Sequence, residues 1–343
     1  MIAVVKPPSQ ASACYRQGRA FRANGAGMNA QFDAYVTEAV FETAGAVFAL
    51  GDGSVAFEAG PRHEAHEGAV LAAAPHPTGV GVITGGDDGR LCWSRAAGAQ
   101  ALAQTRGWID AVAASPASGL IAFAAARNVE VRDAKVPDFR RRFEHPASVA
   151  ALAFDPKGRR LAAATYGGVA LWYGRIAEQT PVMLRWAGSH IGLAFSPDGR
   201  FLVSSMQEAA LHGWRLADAM DMRMGGYPAK VKSLAFAEGG SLLATSGAQG
   251  VVLWPFSGAG GPMGKQAMEI GADEAVLVTR VAGEGVRLAA GLEDGRLWTC
   301  NLTTRAVETL KPASGVAITA LAMRGGRIAW GDEAGRAGVI DAP

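Results

Sequence analysis

A pattern of about forty residues recurs along the chain from residue 32 onward. Each copy holds a short apolar segment, a turn with Pro, Asp or Gly, a second apolar segment, a tight turn, and a third segment that often ends in Trp. The clearest copies are 149–172, 191–214 and 231–254, whose final tryptophans lie 42 and 40 residues apart. Such repeats are typical of arrays in which each unit buries its apolar surface against its neighbours.

Degenerate and weaker copies bring the number of repeat units to eight. The degenerate copies end near Trp93, Arg132 and Trp298, and the weaker ones cover 46–57 and 327–341. Because the apolar segments are short, rich in Val, Leu, Phe and Ala, and bounded by Gly or Pro, they predict strands and an all-β chain. Short sheets stacked radially around an axis bury their faces and protect their edges, so the repeat predicts a β-propeller.

Two short sequence motifs recur in variant forms through the units. They are Phe195-Ser196-Pro197-Asp198-Gly199 and Leu171-Trp172. In them the chain resembles the WD-repeat (WD40) β-propeller family over about residues 32–343. The resemblance implies one propeller domain over 28–343, with eight blades by the unit count and seven, the common number in the family, as the alternative. It also implies that an N-terminal strand completes the last blade, and Phe32–Val36 is placed to do so.

The sequence departs from the family pattern in its polar residues. No Trp is followed by Asp, and the structural His of the family is matched only by His66 and His145, while Trp108 and Tyr227 occupy its position in other units. We therefore expect the hydrogen-bond network of family blades to be mostly absent and apolar packing to hold the blades together.

The tryptophans that end the third segments predict the register of the repeat. One repeat position is shared by Trp172, Trp214 and Trp254. Counted from the Asp of the Asp-Gly turns, Ser94 and Cys300 occupy that position in two other units, so Trp93 stands one residue and Trp298 two residues earlier. If the shared position packs between blades, its replacement by Ala is costly.

Residues 1–27 differ in composition from the rest of the chain. They carry Lys6, Arg16, Arg19 and Arg22 and no acidic residue. The apolar run 2–5 is too short for a secretory signal, which leaves either a transit peptide or an upstream start that was wrongly included, with Met28 as the true initiator. In both cases we expect 1–27 to be a disordered N-terminal extension that adds nothing to the fold.

Charge and cysteine content exclude several classes of partner. The 33 Lys and Arg nearly cancel the 31 Asp and Glu, so no global field favours nucleic acid or an anionic membrane. Three scattered cysteines predict neither a disulfide framework nor a Cys-x-x-Cys metal site and favour a reducing, cytoplasmic compartment. No apolar run approaches the roughly 18 residues that a membrane helix needs.

Catalytic and metal-binding motifs are weak in this sequence. His63, His66 and His76 lie near Glu64 and Glu67, but two ligands on a strand or loop do not make a metal site, and the fold is expected to place His76 on the opposite face of the disc from His66. The segment 259–266 lacks the first Gly and the Ser or Thr of a phosphate-binding loop. No nucleophile elbow occurs either. We therefore expect no metal, no cofactor and no enzyme activity.

Surface residues remain as candidates for function. The family resemblance implies that the loops entering each blade share one face with the loops between its second and third strands. On that face, units three to six carry residue types that often anchor interfaces. We call them the aromatic half: Trp108, Arg127, Tyr166, Trp186, Glu208 and Tyr227. Alternatively, Trp108 and Tyr227 simply pack where the family keeps its His.

Two charged groups complete the candidates. The acidic arc comes from the same face of units seven, eight, one and two: Asp52, Asp87, Asp88, Glu293, Asp294, Asp332 and Glu333. Its alternative explanation is that Asp-Gly is a preferred hairpin turn. The basic patch comes from units three and four: Lys135, Arg140, Arg142, Lys157, Arg159 and Arg160. One interpretation is protection of an edge strand, on which Arg141 points to the same side as Phe139 and Phe143. The other is a site for an acidic partner.

The sequence thus predicts a non-catalytic, cytoplasmic scaffold or adaptor that presents a loop face to another protein. The alternative is a propeller enzyme or small-ligand binder that acts at the mouth of the central channel. Convergent polar groups in the channel would favour that alternative, and a mouth closed by apolar side chains would oppose it.

Overall fold

The computed structural model describes residues 22–24, 27–272 and 276–342. These residues form 31 strands and one short 3-10 helix, Glu238–Gly240, which confirms the all-β prediction. No helix in this part of the chain is long and apolar enough to span a membrane.

The strands follow one another as repeat units. The N-terminal strands are β1 (Arg22–Asn24) and β2 (Gly27–Gln31). Unit 1 holds β3 (Val36–Phe41), β4 (Ala46–Leu50), β5 (Ser54–Phe57) and β6 (Arg62–Glu64). Unit 2 holds β7 (Val70–Pro75), β8 (Val82–Gly86), β9 (Arg90–Arg95) and β10 (Gly98–Gln104). Unit 3 holds β11 (Ile109–Ser115), β12 (Leu120–Ala125), β13 (Asn128–Asp133) and β14 (Arg140–Glu144).

Units 4 and 5 share long strands. They hold β15 (Ala151–Phe154), β16 (Arg160–Tyr173), β17 (Val182–Phe195), β18 (Phe201–Met206), β19 (Leu211–Arg215) and β20 (Met220–Met224). Unit 6 holds β21 (Leu234–Ala237), β22 (Leu242–Thr245), β23 (Val251–Pro255) and β24 (Met268–Ile270). Unit 7 holds β25 (Val278–Glu284), β26 (Arg287–Leu292), β27 (Leu297–Asn301) and β28 (Val307–Lys311). Unit 8 holds β29 (Ile318–Arg324), β30 (Arg327–Asp332) and β31 (Arg336–Asp341), completed by β2.

Hydrogen bonding joins the strands into seven continuous antiparallel sheets, one of which has six strands. That sheet contains two units. Strand β16 is a hairpin that turns at Gly167, as the bond of 3.0 Å from Gly174 N to Arg159 O shows. The first part of β17 pairs with β16, and its second part pairs with β18. The seven sheets therefore confirm the alternative of seven blades, and one of these sheets contains two of the eight repeat units.

The first strands of the units surround a central channel. Each contacts the next in the order β3, β7, β11, β15, β17, β21, β25 and β29, and β29 returns to β3. Because a sheet in this ring has a neighbour on each side, its second strand is buried on both faces. Close stacking on two sides selects small residues there, such as Ala162–Ala164 and Ala289–Ala290, all 0% exposed.

The ring closes through the N-terminal segment, but not through the segment predicted. Strand β2 pairs with β31, with Gln31 opposite Arg336 and Met28 opposite Val339. The predicted closing segment 32–36 instead forms the turn into β3 and its first residue, Val36, so that expectation was five residues too far along the chain. The proposed boundary after residue 27 also falls inside β2, and β1 pairs with β2, so strand structure begins by residue 22. Residues 1–21 lie outside the described part of the chain, and their disorder stays a prediction.

The predicted tryptophan register is confirmed. Leu202 and Leu243 lie opposite Trp214 and Trp254. The equivalent partners in units 2 and 7 are Ser94, opposite Val82, and Cys300, opposite Leu288. Two-residue displacement leaves the side chain of a strand residue on the same face, whereas one-residue displacement reverses it. Accordingly Trp298 is buried between units, while Trp93 is half-buried and stacks on His76 at 4.2 Å between ring centroids.

We expect Trp214→Ala to lower the free energy of unfolding by about 3 to 5 kcal/mol, because it empties a large space between units 4 and 5. Trp93→Ala should cost less, about 1 to 2 kcal/mol, because that ring is partly in water. Urea titration of both variants measures the difference. Equal costs would contradict the assignment of the two rings to opposite faces of their sheets.

Candidate functional site

The two faces of the ring are distinguished by strand direction. The first residue of each inner strand pairs with the last part of the second strand, as Val36 does with Leu50 and Ile109 with Ala125. The loops entering the units and the turns between second and third strands therefore share one face, as the resemblance implied. We call it the upper face. The lower face carries the turns between first and second strands and the loops between third and fourth strands.

Two aromatic side chains stand out on the upper face. Trp108, just before β11, is 66% exposed, and Tyr166, in the turn of unit 4, is 69% exposed. Arg127, in the turn of unit 3, is exposed and forms an ion pair of 2.8 Å with Glu144. Trp108 therefore does not pack in place of the family's His, and adjacent units 3 and 4 present large rings to solvent on the same face.

The remaining members of the aromatic half differ in exposure. Glu208 is exposed. Trp186 is half-buried, with its ring stacked on His212 at a centroid distance of 3.8 Å. Tyr35 was missed by the sequence analysis, although it is 47% exposed and precedes β3 just as Trp108 precedes β11. Alignment of the units on the first residue of the inner strand would have found it.

Tyr227 is buried, and this corrects its assignment to the interface. Trp254 Nε1 donates a hydrogen bond of 2.6 Å to its hydroxyl, which lies 2.7 Å from Thr245 Oγ1. Burial raises the pKa of Tyr227 to about 12, although the hydrogen bonds with Thr245 and Trp254 oppose that shift. The alternative expectation is the one observed, since Tyr227 takes the structural position of the family's His.

Similar polar groups hold other units together, so the expected loss of these networks was too broad. His66 Nε2 lies 2.8 Å from Thr84 Oγ1, and its Nδ1 lies 3.0 Å from Asp88 Oδ1. In unit 4, Trp172 Nε1 donates to His145 Nε2 at 3.0 Å. Each network joins the entry loop of a unit to the strands of that unit, but the residue types differ from unit to unit. A search for fixed residue types therefore misses these networks.

The acidic arc is largely neutralised by arginines of the same units. The pairs are Asp52 with Arg62, Asp88 with Arg90, Asp294 with Arg296 and Asp332 with Arg336. The glycine after Asp88 has φ +74, which the hairpin turn requires. Burial would raise the pKa of Asp88, but hydrogen bonds from Arg90 N, His66 and Glu67 N outweigh it and hold the pKa below its ordinary value.

The other acidic residues of the arc vary in accessibility. Asp332 is fully buried and accepts hydrogen bonds from the backbone N–H groups of Ala334 and Arg336. Asp87 is half-buried, whereas Glu293 and Glu333 are exposed. The hairpin explanation therefore accounts for the aspartates of the Asp-Gly turns, while Glu293, which accepts a hydrogen bond of 3.1 Å from Leu277 N, and Glu333 present exposed carboxylates.

The basic patch is divided between two surfaces. Exposed side chains on the lower face are Lys135, Lys157 and Arg159, and Arg160 there is half-buried beside Asp155, at 3.2 Å. Arg140 and Arg142 are exposed on the outer strand β14. That strand alternates as predicted: Phe143, buried, and Arg141, half-buried, share one face, and Arg140 and Arg142 lie on the other.

Comparison with known proteins agrees with this architecture. A family model described as WD domain, G-beta repeat matches residues 60–93, from the last strand of unit 1 to the third strand of unit 2. The chain folds as a β-propeller, and this part of it matches the WD-repeat model. Among the curated proteins, none matches its sequence.

Two solved structures are similar to this propeller. The computationally designed Ika8 protein has a TM-score of 0.73 and 19% identity, covering 91% of this chain and 97% of its own. The β-propeller domain of Myceliophteria thermophila Cps50 (Swd1) has a TM-score of 0.63 and 14% identity, covering 80% of this chain and 96% of its own. At these identities the likeness shows the fold alone.

The central channel of the propeller contains a charged pair that the sequence analysis missed. Glu38 on β3 and Arg280 on β25 are half-buried, and the equivalent residues Ala111 and Ala320 are small. Units 1 and 7 are not adjacent, so the two charges influence each other across the channel. Burial raises the pKa of Glu38 to about 7, and the charge of Arg280 offsets part of that rise. Charged residues at a repeat position that other units fill with small residues, such as Ala111, Gly192 and Ala320, were the available signal.

The lower mouth of the channel is mostly apolar. A pocket of about 580 Å³ opens there between the inner strands of units 8, 1 and 2. Apolar side chains that line it include Val40, Phe41, Pro75, Pro116 and Met323.

The histidines near unit 2 do not converge. His66 and His76 lie beyond opposite ends of β7, as expected, and His63 stacks on Phe57 at 5.6 Å. In the described residues, no three His, Cys, Asp or Glu side chains come together in a way that could hold a metal ion.

Glu38 makes the stability of the propeller depend on pH. Since its pKa is about 7 in the folded chain and about 4.5 when unfolded, the folded state retains a proton that the unfolded state loses between these values. Stability from this group therefore falls as pH rises from 4.5 to 7. Glu38→Gln should remove that fall. At pH 8 its free energy of unfolding, measured by urea titration, should exceed that of the native chain by about 1 to 3 kcal/mol.

The matched control is Glu178→Gln, because Glu178 is exposed in a loop of unit 4. Its unfolding free energy should follow that of the native chain at pH 5 and at pH 8. Parallel pH profiles for Glu38→Gln and the native chain would show that Glu38 is not the group that retains the proton.

Proposed function

We propose that this WD-repeat propeller is a non-catalytic scaffold or adaptor that binds a partner protein through the upper face of units 3 and 4. The exposure of Trp108 and Tyr166 on adjacent units of that face carries the proposal. Large aromatic rings in water are unfavourable, and they give much contact area with little loss of side-chain entropy when a partner covers them. Arg127, exposed between them in sequence, adds a charged contact at the rim.

The fold class supports this proposal. WD-repeat propellers are generally protein-interaction scaffolds. The alternative, an enzyme or small-ligand binder at the channel mouth, would need convergent polar groups. The lower mouth is lined by Phe41, Pro75 and Met323 as well as by His76, Thr78 and Arg324. The exposed rings of the upper face, and not the channel, therefore carry the proposal.

Thiol chemistry supports a cytoplasmic setting for the scaffold. Cys92 and Cys300 are free and buried.

We expect the double variant Trp108→Ala and Tyr166→Ala to release a captured partner protein at least about tenfold faster than the native chain, because interface anchors act mainly through dissociation. Both side chains are exposed, so the melting temperature should stay unchanged.

Glu293→Gln with Glu333→Gln should slow association mainly at low salt, because rim charges steer encounter. Dissociation and association rates by surface plasmon resonance separate the two contributions.

Tyr173→Ala is the matched control, since Tyr173 is 50% exposed but lies at the end of β16, at the lower face. It should leave both rates unchanged. Two results would place the binding surface elsewhere. One is that Tyr173→Ala accelerates dissociation as much as the double variant does. The other is that Lys157 and Arg159 on the lower face determine the affinity.

A further inference from the structure

A deep cleft separates the outer parts of units 2 and 3. It has a volume of about 810 Å³, within the range of ligand-binding sites. One wall is the end of β10 with the following loop, 105–107, and the other is formed by β12, β13 and β14. Half-buried apolar groups, among them Leu102, Ala103 and Ala125, lie along it.

The cleft is strongly positive although the whole chain is nearly neutral. Four guanidinium groups line it, from Arg106, Arg132, Arg140 and Arg142, against the single carboxylate of Glu130. The sequence analysis grouped two of these arginines with lysines that the fold places on the lower face. The positive charge gathered here comes from a loop and two strands.

Glu130 already has two partners in the cleft. Its Oε1 accepts a hydrogen bond of 2.7 Å from Arg132 Nε, and its Oε2 accepts one of 3.0 Å from Arg142 Nε. Arg132 also donates to the carbonyl oxygen of Leu102 and lies over the ring of Phe123 at 5.8 Å. The structural role of Arg132 is therefore clear: it ties β13 to the last strand of unit 2.

Arg140 and Arg106 have no such role. Arg140 lies directly opposite Arg132 in the β13–β14 register, a like-charged pair that destabilises a sheet. Among the described residues, no hydrogen bond or ion pair engages the side chain of either Arg140 or Arg106, and both are exposed. Protection of the edge strand explains a charge on β14, but it does not explain a second arginine opposite the first.

We propose that this cleft binds an extended acidic segment of a partner protein. Carboxylates of the segment pair with Arg106 and Arg140 and with the exposed guanidinium of Arg142, and an aliphatic side chain of the segment packs on Leu102 and Ala103. The cleft lies on the side of the ring, so this proposal does not depend on the aromatic surface of the upper face.

A peptide fits the cleft better than a nucleic acid strand does. Glu130 lies among the arginines and repels a continuous row of phosphates, whereas separate carboxylates can be spaced around it. Base recognition on a single strand also uses exposed aromatic rings. The aromatic residue of the lining, Phe123, is 2% exposed and offers no such face.

The test is fluorescence anisotropy of a labelled peptide of alternating Glu and Leu with the full chain, at about 0.15 M ionic strength. Arg106→Gln with Arg140→Gln should weaken binding at least about tenfold. The control, Lys157→Gln with Arg159→Gln, removes the same charge from exposed residues of the lower face and should change affinity less than about twofold. Glu130→Gln should strengthen binding, because it removes the only carboxylate of the lining.

Three results would overturn the proposal. One is absence of peptide binding by the native chain, and another is an equal loss in the two double variants, which would show attraction by overall charge. The third is tighter binding of a single-stranded oligothymidylate that the cleft variant abolishes, which would assign the cleft to nucleic acid. Because all four substituted residues are exposed, a thermal melt of each double variant should match the native chain.

Discussion

Apolar stacking of each sheet against two neighbours is the interaction on which the propeller depends. The second strands are buried on both faces, so a unit cannot complete its core until the units beside it are in place. Trp172 shows this dependence, since it packs in a cluster with Leu120 and Phe143 of the preceding unit. Only a closed ring gives every unit a neighbour on both sides. Strand β2 closes the ring, because it comes from the N-terminal end of the chain and forms the outer strand of unit 8 beside β31.

Much of this architecture could be predicted from the sequence because it follows from local patterns. Apolar segments of strand length and Asp-Gly turns fixed the units, and the spacing of Trp214 and Trp254 fixed their register. The closing strand was misplaced because Gly27–Gln31 alternates only through Met28 and Ala30 and contains no β-branched or aromatic residue that would mark it as a strand. The long strands β16 and β17 were equally invisible, since sheet continuity between units 4 and 5 depends on tertiary contact and not on local sequence.

The candidate surfaces were harder to predict, for a physical reason. Residue type does not determine whether an aromatic ring packs or projects. Tyr227, four residues before the buried Val231, bonds to Thr245 and is buried, while Trp108, one residue before the buried Ile109, is 66% exposed. Charges behave in the same way. Asp332 is neutralised inside its own turn, whereas Arg140 is brought beside Arg132 by strand pairing across a hairpin.

Ring closure is tested most directly by unfolding two shortened chains. A chain that begins at Met28 lacks β1, which pairs only with β2, and it retains most of β2, so its Tm should lie within about 2 °C of the full chain. A chain that begins at Phe32 lacks β2, leaves β31 as an open edge and should lose more than about 4 °C. Equal Tm values for all three chains would contradict the account, because the ring would then be stable without its closing strand.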